Sequence, residues 1–212
     1  MTERPSDEAR DARFVEMLAE RRVVAIVRGR DADAALRTVI TLFEEGIGLV
    51  EVSLVTAGAL DVIRQARAAL GDSAALGAGT ILTTDDAVAA EEAGASYLVT
   101  PAVTKAVSYG RLPVLAGAFT PTEVVAALNA GATAIKLFPA FHGGEQYLRA
   151  LRDPFPHVPF VPVGGVSADA ATAYLRAGAV AVGVGSPLVG DAADGGSLAA
   201  LKDRIRAFKD LP

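Results

Sequence analysis

Short apolar runs alternate with Ala-rich, mixed-polarity stretches along most of the chain, and the join between them recurs in one form. Glu45-Gly46-Ile47 precedes Leu49-Val50-Glu51-Val52, and Ala93-Gly94-Ala95 precedes Tyr97-Leu98-Val99-Thr100. Ala130-Gly131-Ala132 precedes Ala134-Ile135-Lys136-Leu137-Phe138, and Ala177-Gly178-Ala179 precedes Ala181-Val182-Gly183-Val184. Glycine is the usual residue just past a helix end, because it takes a positive φ without strain. Runs of Val, Ile and Leu with no polar alternation predict strands covered on both faces. Between these anchors the pattern predicts eight strands: 23–29, 49–54, 75–80, 96–101, 113–118, 134–139, 160–166 and 181–186.

Helices are predicted between the strands. Several begin at a side chain able to cap them: Asp31, Thr83 or Thr84, Thr120 ahead of Pro121, and Ser167. Strands that alternate with helices imply a parallel sheet. Eight units within 212 residues fit a single domain, 1–212, folded as a parallel (β/α)₈ TIM barrel. An open doubly wound sheet is the structural alternative. Residues 6–22 read as an extra N-terminal amphipathic helix with Phe14, Val15 and Leu18 on one face, expected to cover the N-terminal end of the barrel.

Composition narrows the chemistry. There is no cysteine, so disulfides, thiol catalysis and cysteine metal sites are excluded. Two histidines, His142 and His157, make a multi-histidine metal centre a poor expectation. A net charge of −5 without a basic stripe argues against nucleic acid as a partner. The polar N-terminus, Thr2 to Glu8, does not look like a signal peptide, and no apolar run reaches membrane-span length. A soluble cytosolic protein acting on a small molecule is the expectation.

Active sites of such barrels lie at the C-terminal ends of the strands. The polar residues there are Arg28, Glu51, Ser53, Thr80, Thr100, Lys136, Gly164-Gly165 and Gly185-Ser186. Of four lysines, Lys202 and Lys209 fall on a polar C-terminal helix and Lys105 in a loop; only Lys136 lies inside an apolar strand. Burial disfavours the ammonium form, and a neutral lysine attacks carbonyls. A bland alternative is a lysine reaching a carboxylate at the barrel end. Glu51 repeats the logic on the second strand, as a proton carrier or as an ion-pair partner of Lys136 or Arg28. The glycine turns Val163-Gly164-Gly165 and Gly183-Val184-Gly185-Ser186 expose backbone N–H groups where such barrels often hold phosphate, although glycines also make tight turns.

Several motifs then converge: Leu49-Val50-Glu51-Val52-Ser53-Leu54, Gly77-Ala78-Gly79-Thr80-Ile81-Leu82, Thr100-Pro101, Ile135-Lys136-Leu137-Phe138-Pro139-Ala140 and Val163-Gly164-Gly165-Val166. From about Val23 to Phe208 the chain resembles the bacterial 2-keto-3-deoxy-6-phosphogluconate (KDPG) aldolases. It is similar also to the 2-keto-4-hydroxyglutarate (KHG) and 2-keto-3-deoxy-6-phosphogalactonate aldolases. The resemblance implies a homotrimer of barrels with no metal or other cofactor. It implies that Lys136 forms an imine with the 2-keto carbon and that Glu51 is the general acid/base, working through water. Thr80 would hold the pyruvate carboxylate, while Pro101, Phe138 and Val163 line the pocket. Gly164, Gly165, Gly185 and Ser186 would take the phosphate, and Arg28 would meet anionic substrate groups.

Three departures from the family pattern stand out. Val55 replaces an Arg common after the second strand. Val163 replaces the Thr usual before Gly-Gly in the gluconate branch, as it does in the galactonate branch. The stretch Lys105–Arg111 is about one helical turn shorter than usual, which predicts an irregular segment. Another phosphate-binding barrel enzyme (an epimerase, isomerase or transferase) and a sugar-phosphate-binding paralogue without turnover are the competing readings.

Overall fold

Gly46, Gly94, Gly131 and Gly178, the four glycines of the repeated join, have φ of 90°, 100°, 94° and 95°. A side chain would be strained at each, and each ends a helix and turns the chain into the next strand. In the computed structural model, which describes residues 7–209 and 211, this device builds alternating helices and parallel strands. The strands are β1 Val23–Val27, β2 Leu49–Ser53, β3 Ala75–Gly79, β4 Tyr97–Val99, β5 Val114–Ala118, β6 Ala134–Leu137, β7 Phe160–Pro162 and β8 Val182–Val184.

The principal helices are α1 Asp7–Arg21, α2 Ala32–Glu44, α3 Ala59–Leu70, α4 Thr84–Glu92, α5 Pro121–Asn129, α6 Gly144–Arg152, α7 Ala168–Arg176, α8 Ser186–Val189 and α9 Leu198–Lys209. All four expected caps form. Asp31, Thr83, Thr120 and Ser167 accept from the backbone N–H three residues on. Thr83 and Thr120 make full capping boxes with Asp86 and Glu123. The Lys105–Arg111 stretch is irregular as expected, with a short 3₁₀ turn at Lys105–Tyr109 in place of an α-helix.

The sheet has eight strands in the order β7-β6-β5-β4-β3-β2-β1-β8, every named pair parallel. A bridge between Val163 and Gly183, with the Val180 N–H donating to the Phe160 carbonyl at 3.0 Å, joins β7 to β8. The barrel wins over the open doubly wound sheet through that join.

Every strand is buried along its length, yet its residues divide by parity. One set, including Val27, Val50, Val52, Leu76, Ala78, Leu98 and Ile135, packs outward against the helices. The other forms a separate cluster inside the barrel: Val24, Ile26, Leu49, Ala75, Tyr97, Val99, Leu115, Ala134, Val161, Val163 and Ala181. Phe14 and Leu18 of α1 belong to this inner cluster, so the N-terminal helix closes the barrel from below. The Phe14 and Tyr97 rings meet at 4.9 Å. Val15 is only half-buried on that face, and Ser6, the first residue of the expected helix, lies outside the described residues together with most of the polar N-terminus.

No helix among the described residues is long and apolar enough to cross a membrane. Leu18 is fully buried. Leu18→Ala should therefore lower unfolding stability by about 3 kcal/mol, read as a lower urea midpoint with an unchanged m-value. A change under about 0.5 kcal/mol, the size expected of a surface substitution, would show that α1 is not packed into the barrel.

Candidate active site

Lys136 sits two residues beyond Ala134 on the inward face of β6, and Glu51 two residues beyond Leu49 on the inward face of β2. Both are buried, at 7% and 2% exposed. An ionisable group can lie inside an apolar barrel only where neighbours leave room. For Glu51 the room comes from β3: a Cβ added at Gly79 would fall 1.6 Å from the Glu51 Oε1. One at Gly77 would fall 2.3 Å from the Tyr97 ring. The Gly-Ala-Gly-Thr motif is thus a mould, with its small inward positions filled by side chains of β2 and β4.

Gly117, the Cα partner of Lys136 on β5, does similar work. An added Cβ would lie 2.2 Å from the Pro101 carbonyl carbon. The Thr100 hydroxyl fixes that approach, donating to the Ala102 carbonyl at 2.7 Å and accepting from the Gly117 N–H at 3.3 Å. Thr100 therefore holds the Pro101 turn over the lysine's strand pair.

Above these residues opens a cavity of about 640 Å³ at the C-terminal ends of the strands. Arg28, Thr80, Pro101, Lys136, Phe138, Val163, Gly164, Gly165, Gly185 and Ser186 all line it. Most of them fall one to three residues past the observed strand ends, where the sequence pattern expects the strands to continue. Glu51 does not line the cavity; it lies beneath, sealed within the barrel. Lys136 Nζ lies 5.3 Å from the Phe138 ring centroid, a cation–π distance. No direct ion pair joins Lys136 to a carboxylate among the described residues, so the bland reading of this lysine is not realised.

Burial raises the Glu51 carboxyl above its ordinary value of 4.5, opposed by the positive charges of Lys136 and Arg28. Thr80 adopts φ 61°, unusual for a β-branched residue, and its hydroxyl shares a 2.6 Å hydrogen bond with that of Ser53. This bond ties the β3 end to the β2 end at the cavity wall.

On the far side, Gly164 and Gly165 have φ of 103° and 69° and precede the Ser167 cap of α7, while Gly185 and Ser186 open α8. Sequence reasoning missed Asp194, which lines the cavity near this end and accepts from the Arg30 backbone N–H at 2.7 Å. It lies on a 3₁₀ turn beyond β8 that no periodic signal announces. Val55, at the position of the usual arginine, is 61% exposed and does not line the cavity.

Among the described residues no cluster of His, Cys, Asp and Glu could hold a metal ion. A second hollow of about 450 Å³ lies at the C-terminal ends of α6 and α7, between Arg149, Arg152, Asp153, Pro156 and Ala177. There Arg152 donates to the Ala177 carbonyl at 3.3 Å. It holds no nucleophile.

The match to the profile of the family described as "KDPG and KHG aldolase" runs over residues 14–201, most of the barrel. The chain belongs to the KDPG and KHG aldolase family. A 2-dehydro-3-deoxy-6-phosphogalactonate aldolase of Escherichia coli K12 is 36% identical over 172 residues, covering 78% of this chain and 83% of that protein. A KHG/KDPG aldolase of the same organism is 34% identical over 172 residues, covering 79% and 80%. Among solved structures, a KDPG aldolase from Legionella pneumophila with pyruvate captured as a covalent carbinolamine superposes with a TM-score of 0.77. It shares 26% identity over 91% of this chain and 92% of that one.

The raised carboxyl has a consequence for stability in this family member. The folded chain binds a proton at Glu51 more tightly than the unfolded chain does, so stability falls as pH rises from about 4.5 through the folded value. Glu51→Gln carries no such charge. Its stability relative to the parent should therefore increase with pH across that window in urea unfolding at stepped pH. A difference constant with pH would contradict a carboxyl whose proton affinity rises on folding.

Proposed function

We propose that this chain is a class I aldolase that reversibly cleaves phosphorylated 2-keto-3-deoxy sugar acids to pyruvate and an aldehyde such as glyceraldehyde 3-phosphate. The observation that carries this reading is a buried lysine amine. It opens into a cavity whose far wall is two glycine turns and beneath which lies a carboxyl whose pKa burial raises. An epimerase, isomerase or transferase would have no use for this pair, and a paralogue without turnover would have no reason to keep a carboxyl sealed at such cost.

The steps follow from the geometry. Lys136 Nζ adds to the C2 ketone, and loss of water leaves the iminium. A base removes the C4 hydroxyl proton, the C3–C4 bond breaks, and its electron pair moves into the enamine with the iminium as sink. The aldehyde departs, C3 of the enamine is protonated, and water releases pyruvate. Glu51, lying below the cavity, exchanges these protons through water. Thr80, positioned by Ser53, and Arg28 take the pyruvate carboxylate, with Pro101, Phe138 and Val163 around the carbon chain. Gly164, Gly165, Gly185 and Ser186 offer backbone and hydroxyl donors to the phosphate.

Apolar Val163 gives no hydroxyl to the substrate's C4 group, which favours the galactonate-derived epimer, the substrate named for the 36% identical relative. We read the active form as a single-domain barrel assembled as a homotrimer in the cytoplasm. Phe141, 63% exposed, and Leu82, 51% exposed, supply apolar surface that an assembly would cover.

Incubation with pyruvate and borohydride should place a stable adduct on Lys136, found by peptide mass spectrometry, and Lys136→Ala should lose at least about 10³-fold in turnover. An unmodified lysine in the trapped protein would reject the reading. A coupled pyruvate-release assay over gluconate-derived, galactonate-derived and unphosphorylated hydroxyglutarate substrates should rank the galactonate-derived acid first by kcat/KM. A preference for hydroxyglutarate would remove the phosphate from the proposal.

A further inference from the structure

Three buried side-chain polar atoms among the described residues have no hydrogen-bond partner, on Tyr97, Thr104 and Arg152, and only Tyr97 belongs to the cluster inside the barrel. The Tyr97 hydroxyl is sealed inside the barrel on a residue 1% exposed, and no described protein atom bonds to it. Leaving a buried hydroxyl unpaired costs about 1–3 kcal/mol. A phenylalanine would fill the same volume without that cost, so the oxygen calls for an explanation.

Its surroundings point one way. Ile26, Glu51, Gly77 and Tyr97 are successive Cα partners across β1, β2, β3 and β4. The Tyr97 ring lies in the space that a Gly77 side chain would take, with its hydroxyl-bearing Cζ 2.4 Å from the added Cβ position. The Glu51 carboxyl lies in the corresponding space at Gly79, on the same face of the same strand. The charge of Glu51 acts on the Tyr97 phenol, yet no direct hydrogen bond joins the two, so they are neighbours that do not bond directly.

We propose that Tyr97 is a positioning residue for the aldolase reaction, its hydroxyl joined to the Glu51 carboxyl through one buried water. This inference rests on the proposed function and adds a member to its proton path. In it, Tyr97 donates to the water and the water donates to the carboxylate, which orients the carboxyl and favours its ionised form. Burial, reinforced by the charge of Glu51, pushes the phenol well above its ordinary range, so it remains a donor at every working pH. The other titratable groups acting on the carboxyl are Lys136 on β6 and Arg28 beyond β1. The remaining inward residues of β1, β5, β7 and β8, and Phe14 and Leu18 of α1, carry no charge.

The test compares pH profiles of pyruvate release for the full chain, Tyr97→Phe and Phe14→Ala. Removing the hydroxyl withdraws a donor from ionised Glu51, so the acidic limb of kcat/KM should move up by about one pH unit, within the range of one hydrogen bond to a charge. At neutral pH kcat should fall about tenfold, while KM changes less than about twofold. Phe14→Ala disturbs the packing of the Tyr97 ring without removing its oxygen. It should lower stability and leave the limb in place, separating a packing effect from a proton effect. An unmoved limb in Tyr97→Phe, whatever its stability, overturns the proposal while leaving the aldolase reading intact. A parent protein that releases no pyruvate and traps no adduct overturns the aldolase reading and this inference with it.

Discussion

An amine and a carboxyl enclosed by aliphatic side chains set the terms for this fold, because each must be given space and neither can be given bulk water. Isolated charges in such surroundings are costly, and the cost is met here by geometry rather than by a direct ion pair. Glu51 fits because Gly79 has no side chain, and the Pro101 turn can close over Lys136 because Gly117 has none. The inward positions of β3 are accordingly Ala75, Gly77 and Gly79, a wall thin enough for its neighbours to lean across. From below, Phe14 and Leu18 of α1 shut out solvent; from above, Thr80, Pro101 and Phe138 frame the entrance. Reactivity and enclosure thus come from the same packing.

Much of this was readable in the chain. The repeated helix-ending glycines located four strands, and the caps at Asp31, Thr83, Thr120 and Ser167 located the helices between them, because both signals act over a few residues. Lys136 stood out because a charge within an apolar run is rare. The exact inward and outward sets were harder to see. With helices outside and side chains inside, both faces of each strand are apolar, so a period of two leaves no trace in polarity. Nothing in the polarity of its run marks Tyr97 out from Leu98 and Val99. The left-handed Thr80 and the cavity-lining Asp194 depend on contacts with residues far along the sequence, Ser53 and Arg30, which local pattern cannot foresee. Strand ends were placed too late because the chain stays apolar or glycine-rich for a few residues after leaving the ladder.

The departures from the family pattern leave the buried amine and carboxyl untouched. Val163 lines the cavity, and Val55, 61% exposed, lies outside it. Lys136, Glu51 and the glycines Gly77 and Gly79 all belong to the motifs on which the resemblance rests. Covalent chemistry tolerates little displacement, since reacting atoms must approach within about 3.5 Å, whereas hydrogen bonds to the distal parts of a substrate can be exchanged one for another. The irregular Lys105–Tyr109 turn fits the same division. It shortens an outer connection, while Thr100 independently anchors the strand end that faces the lysine.

The stitching of the sheet is uneven. Four register pairs tie β6 to β5 and five tie β3 to β2, whereas β7 meets β8 outside their regular strands, through the Val163–Gly183 bridge and the Val180 hydrogen bond. That lightly sewn seam runs directly beneath the two glycine turns. The side of the mouth built from the two glycine turns can therefore yield by parting few main-chain bonds, which gives latitude to whatever occupies that end of the cavity.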